Sequence, residues 1–151
     1  NNSKLLLVGT GDLEGGIRKK VNELNLTNDV IFLGNRNDVN ELMQAMDIFV
    51  FPSHYEGLPV TLVEAQASGL PIIKSNYVSD QCIMTPNVYT LSLNNTSKEW
   101  ANKIVDIMKE YKRVDTSHYI IENQYDISTN ANWLAKFYMG EVEKIWNLDQ
   151  E

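Results

Sequence analysis

The chain has 151 residues, 43% of them hydrophobic, and a formal net charge of −7 at pH 7. This length fits one domain, and the acidic balance argues against nucleic acid as a partner, because surfaces that bind nucleic acid are basic. One cysteine, Cys82, excludes an internal disulfide, and with two histidines it argues against a zinc site. No signal peptide is visible and no apolar run approaches the ~20 residues of a membrane span.

The first third of the chain predicts alternating strands and helices. Apolar residues 4–8 predict a buried strand, which ends in a turn of small residues containing Gly9 and Gly11. Residues 13–24 show helical spacing, and residues 29–34 predict the next strand and turn. A polar loop with Arg36 then leads to a helix over residues 38–46. Apolar residues 48–51 predict another buried strand.

Residues 52–71, the central segment, read PSHYEGLPVTLVEAQASGLP. Pro59 suits the first turn of a helix, residues 60–68 predict a short helix, and Gly69 can end it. A helix N-terminus at the carboxyl end of a parallel strand offers free N–H groups and partial positive charge to a phosphate. Glu56 and Glu64 flank this position with seven residues between them. Because carboxylates bind sugar hydroxyls, the pattern indicates a ligand that is part phosphate and part sugar.

The remainder of the chain continues the alternation. Residues 71–73 open a strand, Lys74 at its end is expected to be solvated, and residues 75–81 predict a polar loop. Residues 88–93 predict an outer strand. Ser97 is expected to cap a helix, residues 117–123 predict another, residues 125–128 a turn, and residues 130–146 a last amphipathic helix. The sequence therefore predicts a doubly wound α/β fold with a parallel sheet, whose ligands bind at the carboxyl ends of the strands.

The central segment also resembles a known family. Glu-x7-Glu within Pro-Ser-x-x-Glu-Gly-Leu-Pro, followed by Glu-Ala-x-Ala-x-Gly-x-Pro, is similar to the donor-binding signature of retaining GT-B glycosyltransferases of family 4, the glycosyl transferases group 1. The resemblance runs from about residue 4 to residue 138. It implies a Rossmann-like C-terminal half of a GT-B fold that lacks its first βα unit. Residues 1–151 would be a partial donor-binding domain, whose last helices, about 117–148, pack toward an absent N-terminal domain.

The resemblance also implies roles for particular residues. Glu56 would bind hydroxyls of the donor sugar near the reacting centre, as the catalytic carboxylate, and Glu64 would bind the ribose hydroxyls. The remaining donor-binding residues that it implies are Gly9, Gly11, Arg36, Gly57, Leu58, Val60 and Thr61. Amides of the last three would hold the diphosphate, Gly9 and Gly11 would let backbone approach the nucleotide, and Arg36 would lie beside the base. Taken singly, each of these residues is also compatible with an ordinary turn, a solvated loop or a capped helix.

An intact enzyme of this family would transfer a hexose from a nucleoside diphosphate sugar, UDP-linked rather than GDP-linked, with retention and without metal or cofactor. The acceptor would be a saccharide or lipid-linked saccharide held by the absent domain. Synthesis of bacterial surface polysaccharide, in the cytoplasm at the inner face of the membrane, is the expected setting. The family's cationic Gly-Arg and Lys-Gly pairs are missing from these residues, so the chain alone is expected to be inactive. A GT-B epimerase, a phosphorylase or a nucleotide-sugar-binding module without transferase activity are the alternatives.

Overall fold

A computed structural model describes residues 3–142. Strands and helices alternate as far as the fifth strand, and all strand pairs in this part of the chain are parallel, which confirms the predicted α/β class. The elements are β1 (Leu5–Val8), α1 (Glu14–Glu23), β2 (Val30–Gly34), α2 (Val39–Ala45), β3 (Phe49–Phe51), α3 (Val60–Ala67), β4 (Ile72–Ser75), a 3-10 turn (Asp80–Cys82), β5 (Val88–Leu91), α4 (Ser97–Glu110), α5 (Ser117–Glu122) and α6 (Ile127–Tyr138).

The described residues form two compact units, one up to residue 44 and one from residue 45. In the first unit β1 pairs with β2, and the register shifts between Leu7 and Val8. The prediction that residues 4–8 form a buried strand is wrong in its burial, because Leu5 is 50% exposed. A strand of a two-stranded sheet has only one neighbour to cover it. The guanidinium of Arg18 lies 4.0 Å from the centre of the Phe32 ring, so a cation covers this sheet in place of an apolar side chain.

The second unit contains a three-stranded sheet in the order β3-β4-β5. All residues of β4 are buried, as is typical of a central parallel strand. β3 is only half-buried, which differs from the burial expected for residues 48–51, because it lies at the edge of this sheet. β5 lies at the other edge, which confirms the predicted outer strand. The five strands thus belong to two parallel sheets rather than to one.

Helix α3 packs on β4 and α5 and ends as the sequence predicts. Gly69 has a φ of +66°, its N–H donates to Gln66 O at 3.0 Å, and Leu70 N donates to Ala65 O at 3.1 Å. This pair of bonds is a Schellman motif. A Cβ at Gly69 would lie 2.5 Å from Val114 O, so both conformation and space require glycine there.

Two helices of the second unit begin at other residues than predicted. Thr96, not Ser97, is the N-cap of α4. Helix α6 begins at Ile127 rather than residue 130, because the carboxylate of Asp126 accepts hydrogen bonds of 2.7 Å from the N–H and hydroxyl of Thr129. These bonds lower the pKa of Asp126. The predicted helical residues 143–146, and residues 143–148 of the last-helices interpretation, lie outside the described residues.

Within residues 3–142, no helix combines the length and the apolar character needed to cross a bilayer.

Candidate functional site

The loop between β3 and α3 presents an open helix N-terminus. Pro59 is the N-cap of α3 and its side chain makes no capping bond, while its carbonyl accepts from Leu62 N at 2.9 Å. The N–H groups of Val60 and Thr61 therefore open the helix without a side-chain cap. Val60 is 57% exposed and Leu58, in the loop, is 58% exposed. Solvent and ligands thus reach this end of the helix, which carries a partial positive charge of about half an elementary unit.

Glu64 lies on the same exposed face of α3 as Val60 and Thr61. Leu62, Val63, Ala65 and Gln66 are buried, whereas Val60, Thr61 and Glu64 are exposed. Residues three and four positions apart share one face of a helix, and side chains lean toward its N-terminus. The side chain of Glu64 therefore lies one turn beyond the open amides, on the exposed face of the helix.

Glu56 lies in the loop just before the helix, between exposed Tyr55 and exposed Gly57. Its carboxylate is half-buried, and Oε1 accepts a 2.5 Å hydrogen bond from the hydroxyl of Ser53. No cation among residues 3–142 forms an ion pair with Glu56 or Glu64. Both carboxylates thus retain acceptor positions for a hydroxyl-bearing ligand.

Lys74, in the strand that follows α3, is a buried cation, contrary to the prediction. Lys74 was expected to be solvated, but its side chain is only 1% exposed. Its ammonium donates to Val78 O at 2.8 Å and lies 2.7 Å from Oδ1 of Asp80, a residue whose side chain is 78% exposed. A central strand buries both faces, and the long stem of lysine lets its charge reach a partner at the surface. Lys74 therefore holds the turn after β4 rather than a phosphate.

The thiol of Cys82 follows in the same turn. Burial raises its pKa, while the nearby Lys74 opposes that effect. A buried thiol of raised pKa is a poor nucleophile, so we count Cys82 among the core residues and not among the candidate catalytic residues.

Gly9, Gly11 and Arg36 belong to the first unit and lie on adjacent loops. Gly9 has a φ of +116° and its N–H donates to Gly34 O at 2.7 Å, which joins the carboxyl ends of β1 and β2. A Cβ at Gly9 or Gly11 would meet nothing within 4 Å, so the backbone there is open to approach.

The Arg36 guanidinium is held by its own loop. Nε and Nη2 bind the carboxylate of Asp38 at 2.7 and 2.5 Å, and this pairing lowers the pKa of Asp38 and raises that of Arg36. Any contact of this loop with a base would then involve main chain more readily than the guanidinium. The nucleotide-binding roles of Gly9, Gly11 and Arg36 stay predictions.

A cavity of about 450 Å³ lies apart from the central segment, at the turn between α5 and α6. It is lined by Asn123, Gln124, Tyr125, Asn130, Trp133 and Leu134. The candidate site itself consists of an exposed helix end and the loop before it. The described residues also contain no group of three or more His, Cys, Asp or Glu side chains arranged to hold a metal ion.

Ser53 and Ser75 are site residues to which the sequence analysis gave no role. Ser53 belongs to the Pro-Ser of the quoted motif. Whether its hydroxyl reaches Glu56 depends on the conformation of the loop, which the motif does not specify. Ser75 is 22 positions away from the main-chain oxygen of Ser53 that it binds, and residue spacing alone carries no signal for that contact.

Comparison with known proteins identifies the family of the chain. The family model described as glycosyl transferases group 1 matches residues 1–127. The EpsF protein of Bacillus subtilis (strain 168) is 39% identical over 147 residues, which cover 95% of this chain and 38% of EpsF. The UDP-Gal:alpha-D-GlcNAc-diphosphoundecaprenol alpha-1,3-galactosyltransferase of Escherichia coli is 32% identical over 135 residues, covering 75% of this chain and 35% of that enzyme.

A solved structure shows the same fold. HepE of Anabaena, crystallised in complex with UDP and glucose, superposes with a TM-score of 0.72 at 23% identity, covering 91% of this chain and 40% of HepE. The fold is that of GT-B glycosyltransferases. The chain spans less than two fifths of the length of the two relatives compared above, at 38% and 35%.

Proposed function

The chain belongs to the glycosyl transferases group 1 family, and from this premise we propose that it is the donor-binding part of a bacterial polysaccharide glycosyltransferase. The observation that carries the proposal is the exposed face of α3, where the open amides of Val60 and Thr61 and the carboxylate of Glu64 lie together. Anions and hydroxyls are bound by different groups, and this short surface offers both.

The proposed ligand is a nucleoside diphosphate sugar. Its diphosphate lies at the N-terminus of α3, against the amides of Leu58, Val60 and Thr61 beside Gly57. Glu64 accepts from the ribose hydroxyls and Glu56 from the hydroxyls of the transferred sugar. UDP is preferred to GDP in this proposal, in keeping with HepE, which was crystallised with UDP and glucose, and with the E. coli relative, which is named for UDP-Gal.

The proposed chemistry follows from where charge develops. When the bond between the sugar and the diphosphate breaks, negative charge accumulates on the departing oxygen. Helix N–H groups that already point there stabilise that charge without reorganising, which removes the need for a metal ion. Retention requires that the diphosphate leaves and the acceptor hydroxyl arrives on the same face of a hexose. Glu56 then fixes the orientation of the sugar and stabilises the positive charge on its ring.

The acceptor in this proposal is a saccharide or lipid-linked saccharide bound by another part of the enzyme. The E. coli relative is named for a diphosphoundecaprenol-linked substrate, which supports a lipid-linked acceptor. The proposed place of the intact enzyme is the cytoplasm, at the inner face of the membrane.

Nucleotide binding tests the proposal directly. We expect UDP to raise the melting temperature of the wild-type chain in a concentration-dependent way, because a ligand that binds only the folded state stabilises it. Glu64→Ala should reduce the shift, whereas Glu110→Ala, which removes an exposed helical carboxylate elsewhere, should leave it unchanged. Indifference of the wild type to UDP, GDP and their sugars would contradict the proposal.

A further inference from the structure

The main-chain ladder between β3 and β4 stops at Pro52. The last pair of the ladder is Phe51 with Lys74, and Ser53 follows two residues after Phe51. One step further the hydroxyl of Ser75 donates to the carbonyl of Ser53. A side-chain hydrogen bond therefore links the two chain segments beyond the last pair of the ladder.

Ser75 is well placed for this task. It is the last residue of β4, the central strand of its sheet, and is fully buried. Its hydroxyl oxygen also accepts from Tyr77 N at 3.2 Å, so the hydrogen of the hydroxyl is directed to Ser53. The loop that carries the candidate carboxylate is thereby bonded to the buried central strand of the second unit.

Ser53 connects β4 to the carboxylate of Glu56 through two hydrogen bonds. Its main chain is held by Ser75, and its hydroxyl donates to Oε1 of Glu56 at 2.5 Å. With one carboxylate oxygen engaged, rotation of the Glu56 side chain is restricted and Oε2 has a defined direction.

We propose that Ser53 and Ser75 are positioning residues that hold Glu56 in the orientation in which it binds the donor sugar. The inference rests on the proposed function, because it assumes that Glu56 binds that sugar. It adds that the selectivity of the site for a sugar nucleotide over the bare nucleotide depends on two hydroxyls that do not touch the ligand.

The test compares the affinity of the chain for UDP with its affinity for UDP-glucose, UDP-galactose and UDP-N-acetylglucosamine by titration calorimetry. The measured quantity is the ratio of the Kd for UDP to the Kd for the best sugar nucleotide. Ser53→Ala should lower this ratio by about three- to tenfold, the value of one ordinary hydrogen bond, while the Kd for UDP itself stays constant. Ser53→Thr, which keeps the hydroxyl, should restore the ratio.

Two controls separate positioning from general damage. Ser128→Ala removes an exposed serine hydroxyl on α6 and should not change the ratio. Ser75→Ala should lower the ratio like Ser53→Ala. If Ser75→Ala fails to fold, Ser53→Ala and its rescue by threonine decide the matter alone.

The outcomes distinguish this inference from the proposed function. A ratio that falls in Glu56→Gln but persists in Ser53→Ala would overturn the inference and leave the proposed function standing. A wild-type chain that binds UDP and every UDP-sugar equally would overturn the inference and the sugar-binding role of Glu56, whereas a wild-type chain that binds none of these nucleotides would overturn the proposed function itself.

Discussion

Gln66 is the buried polar side chain that joins α3 to the segment after the 3-10 turn. Its Nε2 donates to Leu62 O at 3.2 Å and Cys82 O at 2.8 Å, and its Oε1 accepts from Met84 N at 2.8 Å and Thr85 N at 3.0 Å. We expect Gln66→Leu to lower the free energy of unfolding by at least about 2 kcal/mol, since buried backbone donors would lose their acceptor. Urea denaturation measures this change.

The control for Gln66→Leu is Gln81→Leu, the same substitution at an exposed position of the 3-10 turn. Surface substitutions usually change stability by less than about 0.5 kcal/mol. Equal effects of the two variants would show that the hydrogen bonds of Gln66 do not matter for folding.

Lys74 leads to a second prediction at the scale of single residues. Asp80→Ala removes the carboxylate partner and leaves the buried ammonium with Val78 O. We expect a loss of about 1 kcal/mol, reduced from the cost of a fully buried pair because Asp80 is largely exposed. Lys74→Met in the same chain should recover part of the loss, since it removes the charge that lacks a partner. A double-mutant cycle measures the coupling, and strictly additive losses would contradict it.

The residues also show what a sequence can predict. The exposure of Glu64 beside the helix start follows from helical spacing around Pro59, which is local information. The burial of Lys74 does not, because it depends on the place of β4 between two other strands, and a lysine after two isoleucines looks the same at an edge strand. The hydroxyl of Ser75 finds Ser53 only once two distant strands lie in register.

Helix α4 illustrates the same limit for an element. Serine and threonine are both good N-cap residues, so residue type alone does not distinguish Ser97 from Thr96. The predicted cap was wrong because the side chain of Glu99, three residues after Thr96, selects Thr96. Thr96 N and Oγ1 each donate to Glu99 at 2.7 Å, and Glu99 N donates back to Thr96 Oγ1 at 3.3 Å. This is a capping box, whose spacing requires the cap at residue 96. By contrast, α3 was predicted closely because proline and glycine mark its two ends.

The capping box predicts a dependence of stability on pH. The backbone N–H of Thr96, followed by its hydroxyl and the side chain of Asn95, lowers the pKa of Glu99 in the folded chain. As the pH falls, the Glu99 carboxylate is therefore protonated first in the unfolded state, where a glutamate has a pKa of about 4.3. The stabilisation that ionised Glu99 gives to the folded chain is complete above that pKa, and it is lost as the pH falls through the lower pKa of Glu99 in the folded state.

Glu99→Gln tests this pH dependence, because glutamine also forms a capping box but does not titrate. We expect the melting temperatures of wild type and Glu99→Gln to converge as the solution is acidified below about pH 4.3. A constant difference between the two proteins down to pH 3 would contradict the interpretation. Thr96→Ala, which removes the cap itself, should cost about 1 kcal/mol at neutral pH.

At the scale of the whole molecule, the class and order of elements follow from the alternation of apolar and helical patterns, whereas the division into two sheets does not. Sequence patterns identify a strand by its own residues and say nothing of which neighbours it finds. Residues 4–8 and 48–51 look like buried strands because they are apolar, yet each lies at the edge of its sheet. Edge position, not composition, therefore sets their exposure.

This division predicts unequal protection from hydrogen exchange. β4 is buried and bonded on both sides, whereas β1 pairs on one side and has Leu5 half exposed. Amides of β4 should exchange only when the second unit unfolds, and those of β1 and β2 through smaller openings of the first unit. Gln66→Leu should then accelerate exchange in β4 but leave β1 unchanged. Equal acceleration in both strands would mean that the two units unfold as one cooperative body, and that the boundary near residue 44 has no energetic meaning.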